Sequence, residues 1–241
     1  MSTLLLVRHG QARAFEADSD RLTPRGEEQA AKVGEFLAQA LESVEVVFSG
    51  TLKRQRGTAE FVKRVFEAAG KPFPGLEVDP GWNEYDVDGI LGKLMPELSQ
   101  RSPRFAALTE EFREKAAEPD RNRYFQRMFE VLMDAWGNGE VVHDGVESFA
   151  SFRERVVGAL RRVTLPSPTR RGNQRVVVFT SGGPIGTCVQ EILGAPAEAA
   201  LRLNFRVKNA SITEMTFGSN RISLDSFNGV EHLAPALRTF R

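Results

Sequence analysis

Cysteine is nearly absent from this sequence, and its scarcity removes two kinds of protein at once. The one copy, Cys188, has no partner for an intrachain disulfide, and a Cys-based zinc site would lack ligands. An excess of charge of one sign is absent as well: 32 basic and 32 acidic side chains balance to a formal net charge of zero. No global field then steers the chain toward nucleic acid or an anionic membrane, and any anion site has to be local. Long apolar runs are also lacking. The first, Leu4-Leu5-Leu6-Val7, is cut off by Arg8 and His9, too short for a bilayer span or for the apolar region of a secretory signal. These absences predict a protein of the reducing cytoplasm, with neither membrane nor nucleic acid as partner. No G-x-G-x-x-G or P-loop string occurs, so nucleotide-binding folds of those kinds lose support. The arginines at 161, 162, 170, 171 and 175 have no interleaved aromatics and read as a solvated stretch.

What is present suits one α/β domain. A length of 241 residues, 41% hydrophobic and 27% charged, is ordinary for a globule and sufficient for a single large core. Thr3–Val7 is a nearly continuous apolar run, as in a strand buried on both faces of a parallel sheet. Thr23 and Pro24 open a helix as N-cap and first-turn residue, and Ala30, Val33, Leu37 and Leu41 follow helical spacing. A strand over Val44–Ser49 precedes a helix over Leu52–Ala69 that Gly70 ends, and Glu77–Val78 forms a short strand. Between Gly81 and Gly145 strand signals vanish, and helices are expected around Arg104–Ala117 and Asp120–Trp136. Alternation then resumes: a helix capped by Ser148, a strand over Arg175–Thr180, a helix to Leu193, and a hairpin of Ser211–Phe217 with Arg221–Phe227. The order predicts a three-layer α/β/α sandwich with a mostly parallel sheet, residues 1–241 forming a single domain with a helical cap insertion over 81–145.

His9 follows the first strand, and ligands of open α/β sheets bind beyond the carboxyl ends of strands. An unprotonated imidazole can attack phosphorus and carry it as a phosphohistidine. Arg8 offers a planar fork of donors suited to phosphate oxygens, and Gly10 lets backbone approach a ligand closely. On these three residues alone, a strand-end histidine with local hydrogen bonds explains the string slightly better.

Further along, the sequence resembles the histidine phosphatase, or phosphoglycerate mutase-like, superfamily. Leu5-Leu6-Val7-Arg8-His9-Gly10 is similar to the family's nucleophile strand, and Leu22-Thr23-Pro24-Arg25-Gly26 to its L-T-x-x-G. Ser49 to Ala59 follows S-x-x-L-x-R-x-x-x-T-A, with Arg54 as a second phosphate-binding arginine. Trp82-Asn83-Glu84 resembles L-x-E, with Trp82 in place of leucine, and Gly145-Val146-Glu147-Ser148-Phe149 is similar to G-x-E-S-F. The resemblance implies a phosphomonoester hydrolase, a metal-independent enzyme without cofactor, acting on a small phosphorylated molecule. It makes His9 the nucleophile, Arg8 and Arg54 the neutralisers of phosphoryl charge, and Glu84 the proton donor to the leaving group. Asp86 and Asp88 are close competitors for that last role.

The departure is at residue 181. Where the family carries a second histidine, in V-S-H-G-G, this chain reads Phe179-Thr180-Ser181-Gly182-Gly183. A serine hydroxyl still donates but brings no charge, and losing one such donor costs about 10²–10³ in rate. Against enhancements of up to ~10²¹ for phosphate monoesters, that predicts a slow or atypical phosphatase rather than a dead one. Ser181 and the amides of Gly182 and Gly183 are expected to bind substrate, with His143 from the insertion as a reinforcement and His232, near the C-terminus, as a weaker candidate. Two other outcomes stay open: a pseudo-phosphatase that binds a phosphorylated ligand or partner, and a phosphoglycerate mutase-like phosphotransferase. The aromatic residues of the insertion suggest a leaving group larger or more apolar than a small sugar. Substrate identity and oligomeric state have no signature in the sequence.

Overall fold

The computed structural model describes residues 1–13, 20–165, 173–219 and 221–240. The loop expected between Gln11 and Arg21 is therefore described only at its ends. Residues 166–172, with Arg170 and Arg171, and Asn220 of the expected hairpin turn lie outside the described residues. The described chain divides into two compact units, one of residues 1–84 and 155–241, the other of residues 85–154.

The first unit is built on a six-stranded mixed sheet in the order β3-β2-β4-β1-β5-β6. Its strands are β1 (Ser2–Arg8), β2 (Val46–Ser49), β3 (Leu76–Val78), β4 (Arg175–Thr180), β5 (Ile212–Phe217) and β6 (Ile222–Gly229). The first four run parallel; β5 and β6 form the antiparallel flank expected of the late hairpin. β1 is central, paired with β4 on one side and β5 on the other, which explains its unbroken apolar run: Leu4, Leu6 and Val7 are fully buried. Helices α1 (Pro24–Ala40) and α2 (Lys53–Ala68) pack on one another, and Val33, Leu37, Val62 and Phe66 join Val7, Val47, Val177 and Phe179 in one core cluster. Helices α8 (Gly182–Leu193) and α9 (Glu198–Asn204) pair likewise. α9 was not expected, because seven residues carry too little periodicity to announce a helix.

Two local devices aim the strand ends. Thr23 caps α1, its hydroxyl accepting from the Gly26 amide at 3.0 Å. The turn then brings Gly26 against the chain leaving β1 so closely that a Cβ on Gly26 would lie 2.1 Å from the Gln11 carbonyl oxygen. A Cβ on Gly10 would lie 2.2 Å from the Gly26 carbonyl oxygen. The space at Gly10 is thus filled by backbone of this protein, where the sequence suggested room for a ligand.

The second unit holds α3 (Val87–Gly89), a π-helical turn (Ile90–Leu94), α4 (Met95–Arg101), α5 (Pro103–Glu114) and α6 (Arg121–Gly137), and α7 (Phe149–Thr164) begins within it. Helices α5 and α6 fall where expected; the helical turns over 87–101 were not anticipated. Its aromatic residues pack on each other. Tyr85 lies 5.4 Å from Trp136 and 5.6 Å edge-on to Phe152, and Phe125 stacks on Phe129 at 5.1 Å. The Trp136 indole donates to the Glu147 carbonyl at 2.9 Å. Among the described residues no helix is long and apolar enough to cross a membrane.

The backbone-to-backbone contact of Gly26 with Gln11 yields a stability prediction. Overfilling a tight contact costs about 1–3 kcal/mol, and here the opposing atoms are main chain and cannot swing away. Gly26→Ala should therefore lower the unfolding free energy by at least about 2 kcal/mol, read from urea denaturation. A change under about 0.5 kcal/mol, the range of neutral surface substitutions, would mean the contact yields without cost.

Candidate active site

The geometry starts from strand pairing. Arg8 pairs with Thr180 as the last register of β1 with β4, and the His9 amide donates to the Thr180 carbonyl at 2.9 Å. On the other side the His9 carbonyl accepts from the Ala210 amide at 3.1 Å. His9 and Ser181 are consequently the next residues along two neighbouring strands, about 5 Å apart in backbone spacing.

The His9 imidazole is oriented at both nitrogens. Nδ1 lies 2.7 Å from the Gly10 carbonyl, which makes it the protonated nitrogen, and Nε2 accepts from Arg54 Nε at 3.1 Å. His9 is only 6% exposed. Burial chiefly, then the positive charges of Arg54 and Arg8, hold its pKa well below the ordinary value; the bond to Gly10 opposes them. The result is a neutral ring whose unprotonated nitrogen is engaged by a guanidinium.

Arg54 is held at α2 by more than His9. Its Nη1 pairs with Asp20 at 2.7 Å, and the other Asp20 oxygen accepts the Lys53 amide at 2.7 Å. Asp20 thereby caps a helix whose own N-cap residue, Leu52, makes no side-chain bond. Thr58 completes the joint: its hydroxyl accepts from the Gly10 amide at 3.1 Å and donates to the Arg54 carbonyl at 2.8 Å. Arg8, 9% exposed, turns its guanidinium to the Val207 carbonyl.

Glu84 stands at the start of α8, where one carboxyl oxygen accepts from the Gly183 amide at 3.1 Å. Gly182, the first residue of α8, is buried against Asn204. Ser181 is fully buried, and its hydroxyl accepts from the side-chain amide of Gln55 at 2.9 Å. The residue expected to face a ligand therefore faces Gln55. His143 lies in the second unit, exposed, with Nδ1 against the Asp144 carbonyl. The structure brings His9, Arg8, Arg54, Glu84, Gly10, Ser181 and Gly182 together in the first unit. Asp86 and Asp88, the competitors of Glu84, fall in the second unit, where the Asp86 carboxylate caps the turn at Gly89 at 2.9 Å.

Three participants had no signal in the sequence. Gln55 occupies an unconstrained position of the α2 pattern, yet it is fully buried and also donates to the Trp82 carbonyl at 3.0 Å. Arg155 lies on α7 among other arginines, and Asp20 lies in a polar loop. Only tertiary contact distinguishes them. Among the described residues no group of three or more His, Cys, Asp or Glu is placed to hold a metal ion.

A mixed sheet whose central strand ends in an Arg-His-Gly string beside a glycine-rich helix start defines an α/β protein of the histidine phosphatase kind. The chain belongs to the histidine phosphatase superfamily (branch 1), whose family model matches residues 4–131 and 123–229. It is 30% identical over 222 residues to a protein of Erwinia tasmaniensis named "Probable phosphoglycerate mutase GpmB", covering 89% of this chain and 85% of that one. Among solved structures it is similar to Bacillus stearothermophilus YhfR, with a TM-score of 0.66 at 19% identity, covering 96% of this chain and 99% of that one. It is also similar to a phosphoserine phosphatase from Entamoeba histolytica solved with phosphoserine, with a TM-score of 0.60 at 19% identity, covering 97% and 100% of the two chains. Phosphatases and phosphoglycerate mutase-like proteins thus both stand among its neighbours.

The state of His9 predicts a pH dependence of stability. Below about pH 6.5 an unfolded histidine takes up a proton, while folded His9 stays neutral. The contribution is intact above that pH and is lost as pH falls toward the depressed folded value. The slope is up to about 1.4 kcal/mol per pH unit for one such group. His9→Gln should flatten the decline in urea-unfolding free energy between pH 7.5 and 5; an unchanged slope would place the proton elsewhere.

The burial of Ser181 makes a second prediction. Ser181→His adds an imidazole at a fully buried position already bonded to Gln55, and should cost about 1–3 kcal/mol. Pairing it with Gln55→Ala should recover part of that cost, giving a coupling above about 0.5 kcal/mol in a double-mutant cycle. Strict additivity would show that the two side chains do not compete for volume.

Proposed function

We propose that the protein is a phosphomonoester hydrolase that works through a phosphohistidine at His9. The observation that carries this is the buried, neutral imidazole with Nδ1 fixed by Gly10 and Nε2 turned to Arg54. In the first step the phosphoryl oxygens draw Arg54 from Nε2, and the freed lone pair attacks phosphorus. The bond from phosphorus to the leaving oxygen breaks, and Glu84 gives that oxygen its proton. In the second step water attacks the phosphohistidine, Glu84 takes the water's proton, and the P–N bond electrons return to Nε2. Arg8 and Arg54 balance the charge of the equatorial oxygens throughout, and the amides at the start of α8 supply neutral donors. The chain acts as one domain carrying a helical cap insertion over residues 81–145, a span that overlaps the compact unit of residues 85–154.

The sealed position of Ser181 favours one modification of that scheme. With its hydroxyl behind Gln55, the phosphoryl group gains no side-chain donor from residue 181, so turnover is slow. Carried to the limit, this is a protein that binds a phosphorylated ligand without releasing product. Transfer to a second hydroxyl instead of water, the reaction named for the Erwinia tasmaniensis relative, uses the same phosphohistidine.

The test is turnover of an aryl phosphate by purified protein in the presence of EDTA. Activity in wild type that falls at least about 10³-fold in His9→Ala is the expected result. Activity that survives His9→Ala would overturn the assignment of the nucleophile. No turnover, together with phosphate binding lost in Arg54→Ala, would replace the hydrolase by the binder.

A further inference from the structure

The turn over residues 80–84, which ends in Glu84, is held in an unusual way. All five of its carbonyl oxygens accept from side chains. Arg155 Nη1 donates to the carbonyls of Pro80 at 3.3 Å, Gly81 at 3.3 Å and Asn83 at 2.9 Å, and its Nη2 to that of Glu84 at 3.4 Å. The remaining carbonyl, of Trp82, accepts from Gln55 at 3.0 Å and from the Thr180 hydroxyl at 2.7 Å. The side chain of Asn83 is tied as well, exchanging bonds with the Thr51 amide at 2.7 Å and hydroxyl at 2.8 Å.

Such holding exceeds what a short connection between β3 and the next helix needs. Turn carbonyls near a surface are ordinarily satisfied by water, and a guanidinium spread over four of them gives up its own hydration. What the arrangement gains is precision at the last residue of the turn. Gln55 adds a second link: the amide that grips Trp82 also grips Ser181 at the start of α8, the helix whose Gly183 amide meets the Glu84 carboxyl. Gln55 follows Arg54, whose guanidinium meets His9. One buried side chain therefore ties the carboxyl's turn, the helix that receives the carboxyl, and the helix that holds the second arginine.

We infer that Arg155 and Gln55 are positioning residues that set the Glu84 carboxyl for proton transfer to the leaving oxygen. The inference rests on the proposed role of Glu84 as proton donor. It separates from a merely structural role through the leaving group. An alkyl phosphate such as glycerol phosphate needs a proton as its alkoxide departs; p-nitrophenyl phosphate, whose phenolate leaves unaided, does not. A misplaced carboxyl is felt by the first and hardly by the second. A loosened fold or a lost phosphoryl contact is felt equally by both.

The experiment measures kcat/KM, which reports phosphoryl transfer to the enzyme, for both substrates in wild type, Arg155→Lys, Gln55→Met and Glu84→Gln. Arg155→Lys keeps the charge but presents a point donor in place of the fork; Gln55→Met keeps the volume and removes the donors. General acid catalysis is worth about 10²–10⁴, so Glu84→Gln should lose about that factor on the alkyl substrate and far less on the aryl one. Arg155→Lys and Gln55→Met should repeat the pattern at about 10-fold or more on the alkyl substrate and within about 3-fold on the aryl one, a fraction of the full effect. Melting temperatures identify a variant that fails to fold, and the other then decides. Equal loss on both substrates in the two variants would overturn the inference and leave the phosphatase reading standing. Absence of selectivity in Glu84→Gln would remove its premise and overturn it too. Wild type inactive on both substrates would sink the phosphatase reading and this inference together.

Discussion

The amide of His9 donating to the carbonyl of Thr180 is the bond on which the rest of the site depends. It extends the parallel pairing of β1 and β4 by one step past the last register pair, Arg8 with Thr180. Because side chains alternate across a strand, that register decides which residues face the core and which emerge at the strand end. A slip by one residue would bury Arg8 where Val7 sits and turn His9 away. The slip is blocked by the apolar run itself, since Leu4 to Val7 need both faces of the sheet covered. The chemistry of the site is thus set by hydrophobic burial several residues earlier in the chain.

From that fixed point the electrostatics follow. Burial makes a charged imidazole expensive, and two nearby guanidinium groups make it more so, so the ring stays neutral. The same low-dielectric surroundings would penalise Arg54 if it had no counter-charge, and Asp20 provides one at 2.7 Å. Asp20 also caps α2, so charge pairing and helix capping are met by one carboxylate. The bond from Gly10 to Thr58 and the bond from Thr58 to Arg54 join the loop after His9 to the helix of Arg54. Orientation of the lone pair, placement of the guanidinium and termination of α2 are one connected arrangement.

Much of this was legible in the sequence, and the boundary between what was and what was not is physical. The central strand, α1 with its Thr23 cap, the late hairpin and the string around His9 announce themselves through period, capping chemistry and composition. Gly10 and Gly26 were legible as glycines but not by what excludes a side chain at each: the Gly26 backbone stands against Gly10, and the Gln11 backbone against Gly26. The short helical turns over 87–101 and α9 carry too few residues for a period to show. Gln55, Arg155 and Asp20 were silent because each does its work by reaching another element. A glutamine on a helix or an arginine among arginines is ordinary until its partners are known.

Ser181 shows how a local departure is read differently once its surroundings are known. Against the family pattern that the sequence resembles, a serine at 181 reads as the loss of a donor. In the structure it belongs to a pair: Ser181 and Gln55 are both fully buried, and the Gln55 amide bonds both the Ser181 hydroxyl and the Trp82 carbonyl. Interiors are packed to near-crystalline density, so a small side chain at a buried position is closed in by its neighbours. Here one neighbour is polar, and its donors go to the Glu84 turn and the start of α8. In the proposed scheme a serine at 181 therefore both withholds a donor from the phosphoryl group and takes part in bracing the carboxyl. Its consequence for rate in that scheme is the difference between those two effects, not the first alone.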